Sequence, residues 1–137
     1  MRLWKRFVLL LGLLACGGCG KQKSTNQLIA DLKSSEERDR IMAVRLLPQR
    51  EGEATQVVPA LIGALKDKEG DVRWSAAIGL GYFGEQAKDA IPALQEAQKD
   101  RDPRVREAAD VALTRIDPEK FPVSTSPIRP RAKQSRT

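Results

Sequence analysis

Between residues 58 and 65 the apolar side chains Val58, Leu61, Ile62 and Leu65 fall at i, i+3, i+4 and i+7, the stripe of an amphipathic helix. A polar stretch from Lys66 to Asp71 interrupts it, and Val72, Ala76 and Leu80 then resume at steps of four. Two such stripes joined by a short polar turn predict a helical hairpin. The pattern returns after 33 residues without a gap: Pro59 falls on Pro92, Leu61 on Leu94, Asp67 on Asp100, Val72 on Val105, Arg73 on Arg106, Ala76 on Ala109 and Leu80 on Leu113. Upstream, the same offset carries Leu28 onto Leu61, Leu32 onto Leu65, Arg40 onto Arg73, Ala43 onto Ala76 and Leu47 onto Leu80. A hairpin that recurs at a fixed period and cannot bury its apolar face alone implies a stacked array.

The expected fold is therefore all-α: a right-handed α-solenoid of three helical hairpins, six helices on a 33-residue period, with repeats at about 26–57, 58–90 and 91–118. Pro59 and Pro92 are expected in the first turn of their helices, where a missing N–H is harmless. Asp102 followed by Pro103 marks a helix start, Gly81 or Gly84 a helix end, and Asp117-Pro118 the stop of the last helix.

The N-terminus follows a different pattern. Three cations in "MRLWKR" precede the apolar run "FVLLLGLLA", which is too short to span a bilayer and matches the layout of a secretory signal. An uncleaved signal-anchor is the alternative. Within this layout Leu13-Leu14-Ala15-Cys16 resembles the bacterial lipobox. That resemblance implies cleavage between Ala15 and Cys16 and acylation of Cys16, hence a membrane-anchored lipoprotein of the bacterial cell envelope. Cys16 and Cys19 also admit a redox pair, a zinc half-site or a disulfide, but the motif lacks a strand-to-helix setting and further ligands. Residues 16–26, small, polar and cationic, are expected to form a flexible tether between signal 1–15 and the repeat domain 27–118. The tail 119–137, rich in Pro, Ser and cations, is expected to be disordered, with Phe121 and Val123 folding back on the last repeat as the alternative.

The repeats themselves resemble the short bacterial HEAT-like repeat first noted in phycobilin lyases: "PAL" opens the first helix, Asp sits in the turn, "VR" opens the second helix, and "GEQAKDAIPAL" links one unit to the next. Ankyrin repeats share the period but want a histidine-bearing start. Tetratricopeptide repeats want Trp in the first helix, whereas Trp74 lies in the second. The resemblance implies a ladder in which the turn carboxylates Asp67 and Asp100 bond arginines such as Arg73 and Arg106 across neighbouring repeats. In copy one Ser34 replaces the Asp and Asp39 replaces the apolar Val72 and Val105, so a weakened ladder contact is expected there.

Charge and composition narrow the function. The net charge of +6 is confined to the ends, with +5 in residues 1–26 and +4 in 119–137, whereas 27–118 carry −3. This argues against a phosphate-tracking groove and nucleic-acid binding. The chain has no histidine, which removes His-dependent acid–base and nucleophilic chemistry and most zinc sites. The turn carboxylates Glu36/Glu37, Asp67/Glu69/Asp71 and Asp100/Asp102 recur at helix starts and are read as helix-terminal partners, not as a metal site. No catalytic residue, metal or cofactor is expected. Arg40, Trp74 and Tyr82 are the candidate partner-binding residues: the arginine lies on a second helix, where ladder pairing with a turn aspartate is the favoured alternative, and Trp74 stands where the sister repeats have Ile41 and Glu107, with packing against a neighbouring helix as its favoured alternative. The expected function is a non-catalytic protein-binding scaffold anchored by its acyl group. The first alternative is a phycobilin-lyase-like enzyme component, against which stand the export signal and the cytosolic site of action of those lyases; the second is a nucleic-acid-binding HEAT-like protein, against which stand the acidic domain and the same signal.

Overall fold

In a computed structural model, which describes residues 22–122, the chain forms six α-helices among the described residues. They are α1 (Thr25–Asp31), α2 (Glu37–Leu46), α3 (Ala54–Ala64), α4 (Gly70–Phe83), α5 (Ile91–Ala97) and α6 (Pro103–Ile116). Successive pairs make three hairpins, stacked so that α4 packs between α2 and α6. Two strings of leucine run through the stack at the sequence period. Leu28, Leu61 and Leu94 come from the first helices, Leu47, Leu80 and Leu113 from the second, and all six are fully buried. Each such side chain contributes about 1.5–3 kcal/mol by leaving water.

The second helices approach one another closely because α4 carries glycine at the crossing points. A Cβ added at Gly81 would lie 3.2 Å from the Ala112 backbone, and one at Gly79 would lie 2.8 Å from the Pro48 ring. At the far end of α4 the chain turns through Gly84 at φ +52°, the sole positive φ among the described residues. Of the two expected stops, Gly84 terminates the helix and Gly81 serves interhelical packing.

Helix starts differ in detail from the expectation. Asp102 caps α6 by accepting from Arg104 N–H, with Pro103 at the first position. Pro92 sits in the first turn of α5. Pro59, however, lies inside α3, because a 3₁₀ turn at Glu51–Glu53 starts that helix at Ala54. The cost of an interior proline falls on one missing i→i−4 bond. At the other end of the domain, α1 opens at Thr25, within the span expected to be tether. Ser24 Oγ accepts from Gln27 N–H and the Gln27 side chain accepts from Ser24 N–H, a capping box that begins the fold earlier.

The third repeat ends in a polar face. Gln98 and Asp110 hold the positions that Leu65 and Ala77 bury one repeat earlier, and Gln98 Nε2 donates to Asp110 Oδ1 at 2.7 Å. Beyond α6, Phe121 N–H bonds the Asp117 carbonyl and the Phe121 ring packs, half-buried, on the core. The array thus extends past the expected start of the tail. Ala15, Cys16, Cys19 and the tail from Val123 onward lie outside the described residues. Among the described residues no helix is long and apolar enough to cross a membrane.

Candidate functional site

The second helices α2, α4 and α6 present two chemically distinct ends. At their N-terminal ends lies the arginine–aspartate ladder. Arg40 Nε donates to Asp67 Oδ2 at 2.8 Å and Nη2 to Oδ1 at 3.3 Å. One repeat on, Arg73 makes the same fork to Asp100 at 2.7 and 2.9 Å. The free Nη1 of each arginine reaches back to its own turn: Arg40 to the Ser34 and Ser35 carbonyls, Arg73 to those of Asp67 and Lys68. Each aspartate in turn accepts a local backbone N–H, Asp67 from Glu69 and Asp100 from Asp102. The rung therefore ties three things at once: the turn of its own hairpin, the turn of the next, and the spacing between them.

The side chains of Arg73 and Asp100 are only 7% and 11% exposed. The Arg73 fork holds the Asp100 carboxyl below the usual carboxylate range, a gain partly opposed by burial. Exposed Arg104 bridges Asp71 and Asp102 at 2.9 and 2.8 Å, and its guanidinium pulls the Asp102 carboxyl down in the same way.

The direction of the ladder revises the expectation for copy one. Each arginine pairs forward, with the aspartate of the following repeat, so Ser34 in place of Asp removes no rung among the described residues. Ser34 keeps the turn role, accepting from Glu36 N–H, and its hydroxyl donates to the half-buried Asp39. Arg40 forms a complete rung and is 4% exposed, which withdraws it from the surface available to a partner. The incomplete position lies at the opposite end: Arg106 grips the Asp100 and Arg101 carbonyls through Nη1 and has no carboxylate partner among the described residues.

Further along the same helices the surface changes to aromatic and aliphatic. A groove of about 550 Å³ between α2 and α4 is lined by Trp74, Ile78, Tyr82, Pro48 and the charged Arg45 and Glu51. Its neighbour between α4 and α6, about 320 Å³, shares Ile78 and Tyr82 and adds Val111 and Arg115. Trp74 is half-buried, whereas Tyr82 is 70% exposed, with the Arg115 guanidinium 5.7 Å from its ring centroid. Ser75 lines the first groove, and its buried hydroxyl has no hydrogen-bond partner among the described residues. An unsatisfied buried hydroxyl costs about 1–3 kcal/mol. The structure thus brings Trp74 and Tyr82 together in one groove and separates both from Arg40.

Arg45, Pro48, Ser75 and Ile78 were not singled out by sequence. Their signal lay in the alignment at the 33-residue offset, where Ile78 and Val111 are apolar but off the core stripe. Among the described residues no cluster of carboxylates is arranged to hold a metal ion.

Residues 25–114 match the family of HEAT repeats. The chain belongs to that family. No curated protein matches this HEAT-repeat chain significantly. Among solved structures it is similar to a chain in the complex of CpcE and CpcF of phycocyanin lyase from Nostoc sp. PCC7120. The match has 30% sequence identity and a TM-score of 0.64, and covers 74% of this chain. The HEAT-repeat chain spans 40% of the length of that neighbour. The neighbour is part of an enzyme, and this corrects the expectation that the chain is not one: its likeness is to an enzyme component.

Proposed function

We propose that this HEAT-repeat chain is a component of a lyase-related assembly, in which the grooved face of α2, α4 and α6 holds another protein. The likeness to the phycocyanin lyase complex carries the reading, and the groove lined by half-buried Trp74 and exposed Tyr82 supports it. Aromatic side chains in a concave apolar setting anchor protein partners, whereas the ladder arginines of α2 and α4 are already paired. The chain's contribution to such an assembly is to bind and orient a protein, through apolar contact with Trp74, Ile78 and Tyr82.

Co-expression with phycocyanin and a bilin supply, with CpcE and CpcF added in turn, tests this reading. Covalently bound bilin on the denatured phycocyanin, read by absorbance, is expected to rise when the chain is present. Absorbance that is the same with and without the chain would sink it.

A second reading concerns where the component works and rests on Leu13-Leu14-Ala15-Cys16. We propose that Cys16 is acylated and tethers the array to the bacterial envelope, since two or more acyl chains hold a protein stably at a bilayer. Detergent-phase partitioning with intact mass, on the full chain and on Cys16→Ala, checks it. Acyl mass on the wild type alone supports the tether, and a soluble, unmodified wild type contradicts it.

A further inference from the structure

The groove between α2 and α4 has the composition of a proline-recognition cleft. Trp74, Ile78 and Tyr82 line it from α4 at successive steps of four, Pro48 lines it from the other side, and the exposed Arg45 and Glu51 complete the lining, Glu51 without an ion-pair partner among the described residues. Parallel aromatic side chains form slots for pyrrolidine rings. Indole N–H and phenol O–H groups donate to the outward carbonyls of an extended chain, and a rim carboxylate selects a cation beside the prolines. A polyproline segment enters such a cleft at low entropic cost because it is already extended.

The chain carries a segment of that chemistry. Residues 127–131 read Pro-Ile-Arg-Pro-Arg, and a three-residue polyproline turn would set Pro127 and Pro130 on one face. We propose that this segment docks in the α2–α4 groove of its own molecule, its prolines against Trp74 and Tyr82 and an arginine toward Glu51.

Three observations favour this occupant over others. The tail is basic, +4 over residues 119–137, while the array is acidic, −3 over 27–118. The last helix adjoins the groove: Arg115, one residue before the end of α6, lies 5.7 Å from the ring centroid of Tyr82, which lines it. The length of chain is commensurate, since the five residues from Pro122 to Pro127 span about 16 Å when extended, against about 15 Å for the one and a half helix spacings that separate α6 from the α2–α4 groove. A partner that uses the same groove then has to displace the tail.

Trp74 is one of two tryptophans in the chain, and Trp4→Phe leaves it as the sole reporter. In that full-length background, acrylamide quenching of Trp74 is compared between the native tail and Pro127→Ala/Pro130→Ala/Arg131→Ala. Release of a docked tail is expected to raise the quenching constant roughly twofold or more and shift emission to the red. Glu51→Lys, which leaves the tail intact, is expected to move both in the same direction. Neither change touches the core, so both variants should melt with the wild type. Equal quenching in all three proteins overturns the proposal. Protection that grows with protein concentration also overturns it, by assigning the groove to the tail of a second copy.

Discussion

The same three helices behave oppositely at their two ends. At the N-terminal ends of α2 and α4, Arg40 and Arg73 are buried and paired, and the turn aspartates take up the local N–H groups. Toward the C-terminal ends the side chains at corresponding faces are Ile78, Tyr82 and Val111, partly or largely exposed, and the Ser75 hydroxyl in the same groove has no partner among the described residues. Saturated bonding fixes the stacking of one hairpin on the next and leaves little for a ligand to gain. Unsatisfied apolar surface contributes little to stacking and offers a partner what it needs. A repeat array divides holding from binding along a single helix.

That division predicts a steep gradient of mutational cost. Arg73→Ala strands Asp100 and the turn carbonyls of Asp67 and Lys68, and should destabilise by about 3–5 kcal/mol in chemical denaturation, as breaking a buried pair does. A loss below about 1 kcal/mol would mean the rung is not structural. Leu80→Ala, at the centre of the second leucine string, should cost about 2–5 kcal/mol; an unchanged midpoint would show that the helix register is wrong.

Acid should dissect the ladder. Because the native Asp100 carboxyl is depressed, its contribution is complete above the unfolded value of about 3.9 and is lost as pH falls through the folded value. Arg73 is raised from an already high value and adds nothing to the acid limb. Asp100→Asn should therefore lower stability near neutrality and flatten its decline in acid, which melts from pH 6 to pH 2 would check.

Arg106→Ala gives the sharpest contrast with Arg73→Ala. The two arginines bond their own turns alike, but Arg106 is exposed and lacks the forward carboxylate among the described residues. Its loss should cost at most about 1 kcal/mol. The smallest effect on stability belongs to the open end: Tyr82→Ala should stay within about 0.5 kcal/mol while weakening any partner held there. A cost matching that of Arg73 would erase the distinction between the two ends.

The closed end was more legible in the sequence than the open one, and the reason is physical. Repeated burial leaves a period, so Leu61, Leu80, Asp67 and Arg73 announced themselves by recurring at a fixed offset. The direction of the rungs did not, because spacing along one chain is silent about which neighbour a side chain reaches. Arg40 accordingly admitted both a ladder role and a surface role, and the Asp67 carboxylate against it decides for the ladder. The groove breaks the period: Ile78 and Tyr82 have Arg45 and Gln49 as their counterparts in the first repeat. Only Trp74 and Tyr82 stood out, as large aromatics in a chain that has few. The start of α1 was missed for another reason, since the Ser24–Gln27 capping box lies within a polar stretch that reads equally well as tether.

Complex formation with the phycocyanin lyase subunits tests the account most directly. The full chain, mixed separately with purified CpcE and CpcF from Nostoc, is analysed by size-exclusion chromatography with light scattering, beside Trp74→Ala/Tyr82→Ala and Arg106→Ala. The account predicts a defined heterocomplex with one subunit, abolished by the aromatic pair and retained by Arg106→Ala. A wild type that elutes alone, or an aromatic variant that still co-elutes, would contradict it.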